Sequence, residues 1–393
     1  MWLRCRPVAT HAPVPAGDPS VEIVPFVLDV PPEQVADLHE RLRRVRLPEP
    51  ATDAGQGLGL DAVAELCRAW LEEHEWRRVE DELNRRGQFR TAIDGLGIHF
   101  LHVRSPRSDA QPLLVTHGWP GSVVEVLDVL DALTDPGDDS VPAFHVIAPS
   151  LPGFGFSDKP TGPGWGVDRI ADAWAELMTR LGYERFLAQG GDWGAMVTTA
   201  LAVRHPDRVA MMHTTMPLAP RPDGFDDATL SETEQRWLAE SAEFRRVGSG
   251  YSGQQRTRPQ TLGYGLVDSP AGQLAWIAEK FVAWTDGDGF GGVPRDRVLD
   301  NASIYWLTAS GASSARLYWE SFGGIDRSRP VTVPSAVSMF PAEMVKNPRA
   351  WVEARYVDLR HWNVLPTGGH FASLEVPGDF VDELRAAFAL APR

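Results

Sequence analysis

One glycine-flanked aspartate constrains the fold of this chain more than any other feature. The segment Gly190-Gly191-Asp192-Trp193-Gly194 follows the apolar run FLAQ and continues directly into the helix-forming stretch AMVTTALAVR. Glycine two residues to either side of a central residue is the spacing of a sharp strand–turn–helix elbow, in which larger side chains would collide. The spacing therefore predicts a nucleophile, Asp192, at the end of a buried strand. The alternative is a glycine-rich turn whose aspartate caps the following helix.

An aspartate at the tip of such an elbow, in place of the usual serine, changes the reaction that the site can perform. A serine that attacked an epoxide or alkyl carbon would leave a stable ether, whereas a carboxylate leaves an ester that water can cleave at its carbonyl carbon. A carboxylate titrates near pH 4 and is therefore ionised at neutral pH. Asp192 thus favours substrates in which a saturated carbon is attacked.

Short apolar runs alternate with helical segments on both sides of the elbow. FRTAIDGLGIHFLHVRS alternates with a period of two and has a turn signal at Asp94-Gly95, which predicts a β-hairpin. PLLVTHG and FHVIAPSL are typical of strands buried on both faces, and VTVPSAVSMF and ARYVDLRHWNVLP continue the sheet near the C-terminus. The chain is therefore predicted to be of the α/β class, with a mostly parallel, doubly wound sheet.

The same patterns divide the chain into five parts. We expect a disordered lead-in over residues 1–20, an N-terminal helical arm over 21–92, a first core part over 93–216, a helical lid over 217–329 and a second core part over 330–393. The arm is predicted to hold one helix that starts at Pro31-Pro32 and stops at Pro48, and another over roughly 61–86. The lid, inserted after the sixth strand, is predicted to hold helices over 231–246, 271–284, 301–310 and 313–322. An insertion there would cover the carboxyl edge of the sheet, where ligands of open α/β sheets bind.

Composition narrows the class of partner. The formal net charge of −15 argues against nucleic acid and anionic membrane as partners. Cys5 and Cys67 are too few for a disulfide framework and lack the paired spacing of a zinc site, so we expect no metal, no cofactor and a reducing, cytoplasmic setting. No apolar run reaches the roughly 18 residues that span a bilayer, and residues 1–20 lack the apolar centre of a signal peptide. Whether the chain acts alone or as a homodimer stays open.

A second motif, His117-Gly118-Trp119-Pro120, comes directly after the strand PLLVT. In an elbow enzyme the loop after this strand supplies one backbone N–H of the oxyanion hole, and the residue after the nucleophile supplies the other. Those donors would be the amides of Trp119 and Trp193, and the alternative is a purely structural turn. We interpret the His117 side chain as architectural.

A third motif, Gly368-Gly369-His370-Phe371, lies between the last strand and the final helix. Triads built on this elbow follow the order nucleophile, acid, histidine along the chain, and His370 is the last of the eleven histidines. An imidazole pKa near 6.5 allows it to act as a base at neutral pH, whereas the alternative is a histidine on a surface loop. Its acid partner is predicted to be Glu343, the first acid after the strand VPSAVSMF, with Asp358 in reserve.

Together with the N-terminal arm, the motifs HGWP, GGDWG, FPAE and GGHF resemble, in this order, the microsomal-type epoxide hydrolases and their soluble bacterial relatives. The resemblance covers about residues 21–390 and implies the α/β-hydrolase fold. In that family two lid tyrosines hydrogen-bond the epoxide oxygen and donate a proton as the ring opens. By motif context these are Tyr251, in a glycine-rich segment that we interpret as a loop, and Tyr318, in SSARLYW.

The resemblance also bears on the setting of the enzyme. We expect no counterpart of the membrane helix that the anchored members carry. Several soluble relatives in actinomycetes act in antibiotic biosynthesis, including enediyne pathways, so a role of that kind is one implication of the resemblance.

These motifs predict an epoxide hydrolase that converts an epoxide and water into a vicinal diol through an alkyl ester on Asp192. Four tryptophans suggest an apolar pocket, namely Trp119, Trp193, Trp306 and Trp319. Because a phenol titrates near pH 10, activity carried by the tyrosines is predicted to fall at high pH. Two alternatives stay open. A haloalkane dehalogenase would use the same aspartate, histidine and acid but release a halide, and a non-catalytic binding protein would keep only the pocket.

Overall fold

A nine-stranded sheet forms the core of the computed structural model, which describes residues 22–392. The strands are β1 Val24–Pro25, β2 Gln88–Ile93, β3 Leu96–Val103, β4 Gln111–Thr116, β5 Phe144–Pro149, β6 Phe186–Gly190, β7 Val209–Thr214, β8 Ser335–Met339 and β9 Leu359–Val364. Their spatial order is β1-β2-β3-β5-β4-β6-β7-β8-β9. The pairs from β1 to β5 in this order are antiparallel and all the following pairs are parallel. The predicted class, a mostly parallel α/β sheet, is confirmed.

The predicted hairpin is present, with its turn at Asp94 and Gly95. These residues have φ angles of +51° and +76° and connect β2 to β3. Two consecutive residues in the left-handed region form a turn whose twist matches that of the paired strands, and Asp-Gly is a preferred sequence for it. Local turn chemistry was therefore sufficient to predict this part of the sheet.

Three helices form the arm, where two were predicted: α1 Pro32–Arg43, α2 Leu60–Glu72 and α3 Trp76–Asn84. The helix predicted over 61–86 is interrupted at residues 73–75, where His74 is hydrogen-bonded to Asp300 of the lid. A tertiary contact thus breaks a locally continuous pattern. The arm is also not purely helical, because β1 and β2 join the sheet. The lead-in predicted over 1–20 lies outside the described residues.

The first core part contributes α4 Leu130–Thr134, α5 Val167–Arg180 and α6 Asp192–Arg204. Six helices then build the lid within the fully described stretch 217–329, where four were predicted. They are α7 Glu232–Glu243, α8 Gly250–Thr257, α9 Pro259–Asp268, α10 Pro270–Trp284, α11 Arg295–Leu307 and α12 Ser310–Ser321. The lid follows the seventh strand along the chain and not the sixth, because β1 precedes the hairpin. The chain ends with α13 Arg349–Arg355, α14 Ala372–Glu375 and α15 Pro377–Phe388.

Glycines explain why α8 and α9 were not predicted. Gly250 and Gly253 lie on α8, and a Cβ on either would meet open space, so neither glycine marks a loop or a close contact. Gly263 on α9 is different, since a Cβ there would lie 2.5 Å from the Cβ of Ala312 on α12. It allows these two lid helices to approach closely. Over residues 22–392, none of the helices combines the length and apolar character needed to cross a membrane.

An ion network joins the arm to the lid. Arg297 on α11 donates to both carboxylate oxygens of Glu82 on α3, at 2.8 Å each, and to Asp300 at 3.1 Å. It also pairs with Asp128, in the segment after β4. Asp300 is fully buried and is held in addition by His74. Because buried charges are costly unless they are paired, these contacts fix α11 against the arm.

We expect Arg297→Met to lower the free energy of unfolding by about 2 kcal/mol, because it leaves Glu82 and Asp300 short of a partner in a buried setting. Arg68→Met is the matched control. Arg68 also pairs with three carboxylates, but its side chain is 46% exposed, and exposed pairs contribute little. Urea unfolding followed by circular dichroism measures both variants, and equal losses would contradict a special role for the buried network.

Candidate active site

Asp192 lies at the tip of a strained turn between β6 and α6. Its φ is +48°, in the left-handed region that residues other than glycine rarely adopt. A Cβ on Gly190 would lie 2.2 Å from the backbone of Gly194, and a Cβ on Gly194 would lie 1.8 Å from the carbonyl oxygen of Thr116. Both glycines are therefore sterically required, as the spacing predicted. The turn holds the Asp192 carboxylate at the carboxyl end of the sheet.

Two backbone amides hold this carboxylate. The Trp119 N–H donates to Asp192 Oδ1 at 2.7 Å, and the Trp193 N–H also binds the carboxylate. Gly118 permits the close approach, because a Cβ there would lie 2.4 Å from Oδ1. Burial raises the pKa of Asp192, and His370 and the two amides act in the opposite direction. The structure thus brings the predicted nucleophile and the predicted oxyanion donors together.

Helix α11 supports the loop that carries Trp119. Asn301 Nδ2 donates to the carbonyl oxygen of Pro120 at 2.7 Å, and Tyr305 Oη donates to the carbonyl oxygen of Gly121 at 2.9 Å. Both side chains are buried. Two neighbouring peptide groups of the loop are therefore fixed by one lid helix, and with them the direction of the Trp119 amide.

His117 fixes the other side of the same loop. The Leu151 N–H donates to His117 Nε2 at 3.2 Å, so Nδ1 carries the proton and donates to the carbonyl oxygen of Gly118 at 2.9 Å. Burial lowers the pKa of His117 to about 4, which keeps the ring neutral. These contacts support the architectural interpretation of this side chain.

His370 connects Glu343 to the nucleophile. Its Nδ1 lies 2.9 Å from Glu343 Oε2, and its Nε2 lies 3.6 Å from Asp192 Oδ2. Burial opposes protonation, but the negative charges of Glu343 and Asp192 outweigh it and raise the pKa of His370 to about 9. The reserve acid, Asp358, pairs with Arg360. Glu343 is therefore the predicted acid that the fold places beside His370.

The loop around His370 is held from both the lid and the core. The His370 N–H donates to the carbonyl oxygen of Trp284, at the end of α10, at 2.8 Å. Glu375 on α14 accepts hydrogen bonds from the N–H groups of Gly369 and Phe371, at 3.0 Å and 3.2 Å. Burial raises the pKa of Glu375 to about 7 despite these amides. Glu375 is a positioning residue that sequence reasoning did not identify.

Tyr251 and Tyr318 are both buried and lie beside the nucleophile. Tyr251 is on α8 and not in a loop, contrary to the prediction, and its ring stacks on Trp119 with centroids 5.0 Å apart. Tyr318, on α12, meets the ring of Trp193 edge-on at 4.7 Å. Burial, reinforced by the charge of Asp192, raises the pKa of both phenols. Both phenols therefore keep their protons to a higher pH than free phenol, and the fall in activity predicted at high pH is expected above the pH at which free phenol ionises.

Three other tyrosines have different surroundings. Tyr305 supports the loop after β4, Tyr356 contacts Thr199 at 3.2 Å, and Tyr264 is 68% exposed. Tyr318 Oη has no partner in good hydrogen-bonding geometry among residues 22–392, although the Tyr251 hydroxyl lies nearby. A buried hydroxyl without a partner is costly, and a substrate oxygen would satisfy it.

Two tryptophans were assigned to the pocket incorrectly. Trp306 faces the arm, where the guanidinium of Arg41 lies 5.7 Å from its ring. Trp319 is 57% exposed and lines a cavity of about 450 Å³ on α12 that includes none of the groups around Asp192. Trp284 is the aromatic residue that was missed, with its ring 5.0 Å from that of His370.

Two charged residues beside the site were also missed. The Lys280 ammonium lies 4.4 Å from the centroid of the Tyr251 ring, and the carboxyl group of Glu125 interacts electrostatically with both His370 and Asp192. A signal for Lys280 was available, because the chain has only three lysines and otherwise uses arginine. Glu125 carries no local signal, since only the fold brings it to the site.

Known proteins are similar to this chain in both sequence and structure. Residues 23–126 match the family described as epoxide hydrolase N terminus, and residues 111–250 match the alpha/beta hydrolase fold family. A putative epoxide hydrolase of Stigmatella aurantiaca is 51% identical, over 93% of this chain and 84% of that protein. Epoxide hydrolase 1 of Oryctolagus cuniculus is 35% identical, over 92% and 88%. The solved epoxide hydrolase of Aspergillus niger has a TM-score of 0.87 at 32% identity and covers 98% of both chains.

The geometry predicts that the basicity of His370 depends on the charge of Asp192. In Asp192→Asn, which is neutral like an ester, the pKa of His370 should fall below the value of about 9, because one of the acidic groups that stabilise the imidazolium is gone. A histidine NMR titration measures the change. Asp358→Asn is the control and should leave the pKa of His370 where it is. An unchanged pKa in Asp192→Asn would contradict the electrostatic coupling.

Proposed function

This chain belongs to the epoxide hydrolase family of the α/β-hydrolase fold, and we propose that it opens an epoxide to a vicinal diol through an ester on Asp192. The observation that carries the proposal is that the two oxygens of the Asp192 carboxylate have different partners. One oxygen accepts a 2.7 Å hydrogen bond from the Trp119 amide, while the other lies 3.6 Å from His370 Nε2. An attacking oxygen and an oxyanion site are thus available in a single side chain.

In the first step, Asp192 Oδ2 attacks a ring carbon of the epoxide. The new bond joins Oδ2 to carbon, the carbon–oxygen bond of the ring breaks, and the departing alkoxide takes a proton from Tyr251 or Tyr318. The raised pKa of both phenols supports this role, because they hold their protons until a strong base such as an alkoxide is present.

In the second step, water cleaves the ester. Ester formation removes the negative charge of Asp192, so the pKa of His370 falls. The imidazolium proton is released and restores the tyrosine that was deprotonated in the first step, and His370 Nε2 becomes available as a base. Water then attacks the carbonyl carbon of Asp192, and the negative charge develops on Oδ1, which already accepts from the Trp119 amide. As the water attacks, one of its protons moves to His370 Nε2, and this proton passes to the ester oxygen, which leaves with the diol when the tetrahedral intermediate collapses. The water oxygen stays on Asp192, and its remaining proton then moves to His370, which restores the carboxylate and the imidazolium.

The setting of the reaction is the finer part of the proposal. The buried free thiol of Cys67 supports a reducing, cytoplasmic location. The resemblance to soluble actinomycete enzymes supports a biosynthetic role, as in enediyne-type antibiotics. A panel of styrene-type, aliphatic and bulky polycyclic epoxides, assayed for diol with chiral analysis, tests both the activity and the size of substrate that the enzyme accepts.

His370→Gln should trap the ester. Alkylation does not need the imidazole, but water is then no longer activated, so intact-protein mass spectrometry should show one substrate mass added to the protein. Asp192→Ala is the control and should show neither adduct nor diol. In the wild type, a single turnover in H₂¹⁸O should place label in the Asp192 carboxylate. Absence of both the adduct and the label would overturn the covalent mechanism.

Replacing the lid tyrosines should slow only the first step. Tyr251→Phe and Tyr318→Phe should each reduce the alkylation rate about 10-fold, and the double variant about 100-fold or more, because the alkoxide loses its proton donor. Quenching of tryptophan fluorescence in stopped flow separates ester formation from ester hydrolysis, which should stay near the wild-type rate. Alkylation of the double variant at the wild-type rate, together with halide release from bromoalkanes, would favour a dehalogenase instead.

A further inference from the structure

A lysine side chain is buried among aromatic rings beside one of the two lid tyrosines. Lys280, on α10, is 4% exposed, and its ammonium lies 4.4 Å from the ring centroid of Tyr251. The rings of Trp276 and Trp284 lie 5.9 Å and 5.8 Å from the same nitrogen. Its ion-pair partner is Glu279, the preceding residue. Three aromatic rings and one neighbouring carboxylate thus contact or approach the ammonium.

The burial of this charge has an energetic cost that its partner offsets only in part. Burial lowers the pKa of Lys280, although Glu279 acts in the opposite direction, so the charged form is disfavoured where it lies. The Glu279 side chain is partly exposed, and water therefore weakens its attraction to the ammonium. An apolar side chain of similar length would fill the same space without this cost. Packing alone therefore does not account for the charge of Lys280.

The ring beside the ammonium belongs to a proton donor of the proposed ring opening. The tyrosine that protonates the alkoxide is left as a phenolate. Burial raises the pKa of Tyr251, and the carboxylates of Asp192, Glu343 and Glu279 raise it further, so each of them opposes a phenolate there. The charge of Asp192 disappears when the ester forms, but the other two carboxylates remain. A desolvated ammonium at the ring face attracts the ring, and it attracts a negatively charged ring more strongly.

The two lid tyrosines differ in their surroundings. Within residues 22–392, no lysine or arginine lies over the ring of Tyr318, which meets Trp193 edge-on at 4.7 Å and stacks on Phe322 at 5.8 Å. The Tyr318 hydroxyl lies near that of Tyr251 and acts to lower the pKa of Tyr251, as a hydroxyl that donates to a phenolate oxygen does. These contacts favour Tyr251 as the tyrosine that loses its proton and Tyr318 as the one that keeps it.

We propose that Lys280 stabilises the phenolate of Tyr251 and thereby makes Tyr251 the proton donor of ring opening. The inference deepens the mechanism proposed above and rests on it. Lys280 acts through Tyr251 and is therefore a positioning residue.

The step balances without any further reactant. The bond from Asp192 Oδ2 to the ring carbon forms, the carbon–oxygen bond of the epoxide breaks, and the proton of Tyr251 Oη passes to the alkoxide. One negative charge thus moves from Asp192 to the ring beside the ammonium. Lys280 keeps its protons throughout, and the proton that His370 later releases restores the phenol.

The test compares a neutral and a charged replacement of Lys280. Rates are measured in the His370→Gln background, where the ester accumulates and its growth in mass spectrometry reports ring opening alone. Lys280→Met should form the ester roughly 10-fold more slowly, the effect of one lost desolvated cation–π contact. Lys280→Arg keeps the charge and should stay close to the rate measured with Lys280. Lys159→Met is the matched control and should leave the rate unchanged, because the Lys159 ammonium donates instead to the carbonyl oxygen of Ala309.

A cycle with the lid tyrosines separates an electrostatic role from a structural one. With Tyr251→Phe no phenolate forms at this ring, so adding Lys280→Met should cause no further slowing. With Tyr318→Phe the same change should still slow ester formation roughly 10-fold. Lys280→Gln, also neutral, takes the place of the methionine variant if that variant does not fold.

Equal slowing by Lys280→Met in the two tyrosine backgrounds would overturn the inference. So would a neutral variant that forms the ester at the rate measured with Lys280, or an arginine variant as slow as the neutral one. In each of these cases the adduct still forms and the ester mechanism stands. If His370→Gln alone forms no adduct, the ester mechanism itself has failed and the inference fails with it.

Discussion

The hydrogen bond from the Trp119 amide to Asp192 is the contact on which the site depends. It selects Oδ1 as the oxygen that is held and leaves Oδ2 toward His370. In the proposed mechanism the held oxygen becomes the oxyanion, so the same donor stabilises the carboxylate in the first step and the tetrahedral intermediate in the second. A fixed donor of this kind costs no reorganisation at the moment of reaction. The direction of this one peptide group therefore bears on both steps of the reaction.

That peptide group is held through a chain of contacts that begins in the arm. Asn301 and Tyr305 donate to the carbonyl oxygens of Pro120 and Gly121, in the loop that carries Trp119. Both lie on α11, which also carries Arg297 and Asp300, the centre of the ion network with α3. Between residues 22 and 92, the arm therefore contributes no side chain to the reacting groups but fixes the helix that orients the oxyanion donor.

The features that sequence predicted correctly are those set by local sterics or chain order. The glycines around Asp192 and the Asp94-Gly95 turn are required by backbone geometry within a few residues, and the sequence shows that requirement directly. Glu343 was predicted from its place after a strand, and the sheet then brings it to His370.

The features that sequence missed depend on distant contacts or on glycines whose meaning is not local. The break at residues 73–75 accompanies a hydrogen bond to Asp300, more than 200 positions away. The helix that carries Tyr251 was hidden by glycines whose Cβ positions meet only open space. Glu125, Asn301 and Glu375 reach the site through tertiary structure alone, so their side chains carry no recognisable spacing.

The charges around His370 give the two steps an order. While Asp192 is ionised, it and Glu343 stabilise the imidazolium, and a protonated ring cannot act as a base. In the proposed mechanism the base becomes available only when the ester exists, because ester formation is the event that removes the charge of Asp192. The proton that His370 then releases replaces the proton that a tyrosine has given to the alkoxide. The loss of the negative charge on Asp192 thus restores the phenol and prepares the base, and the net charge of the site does not change.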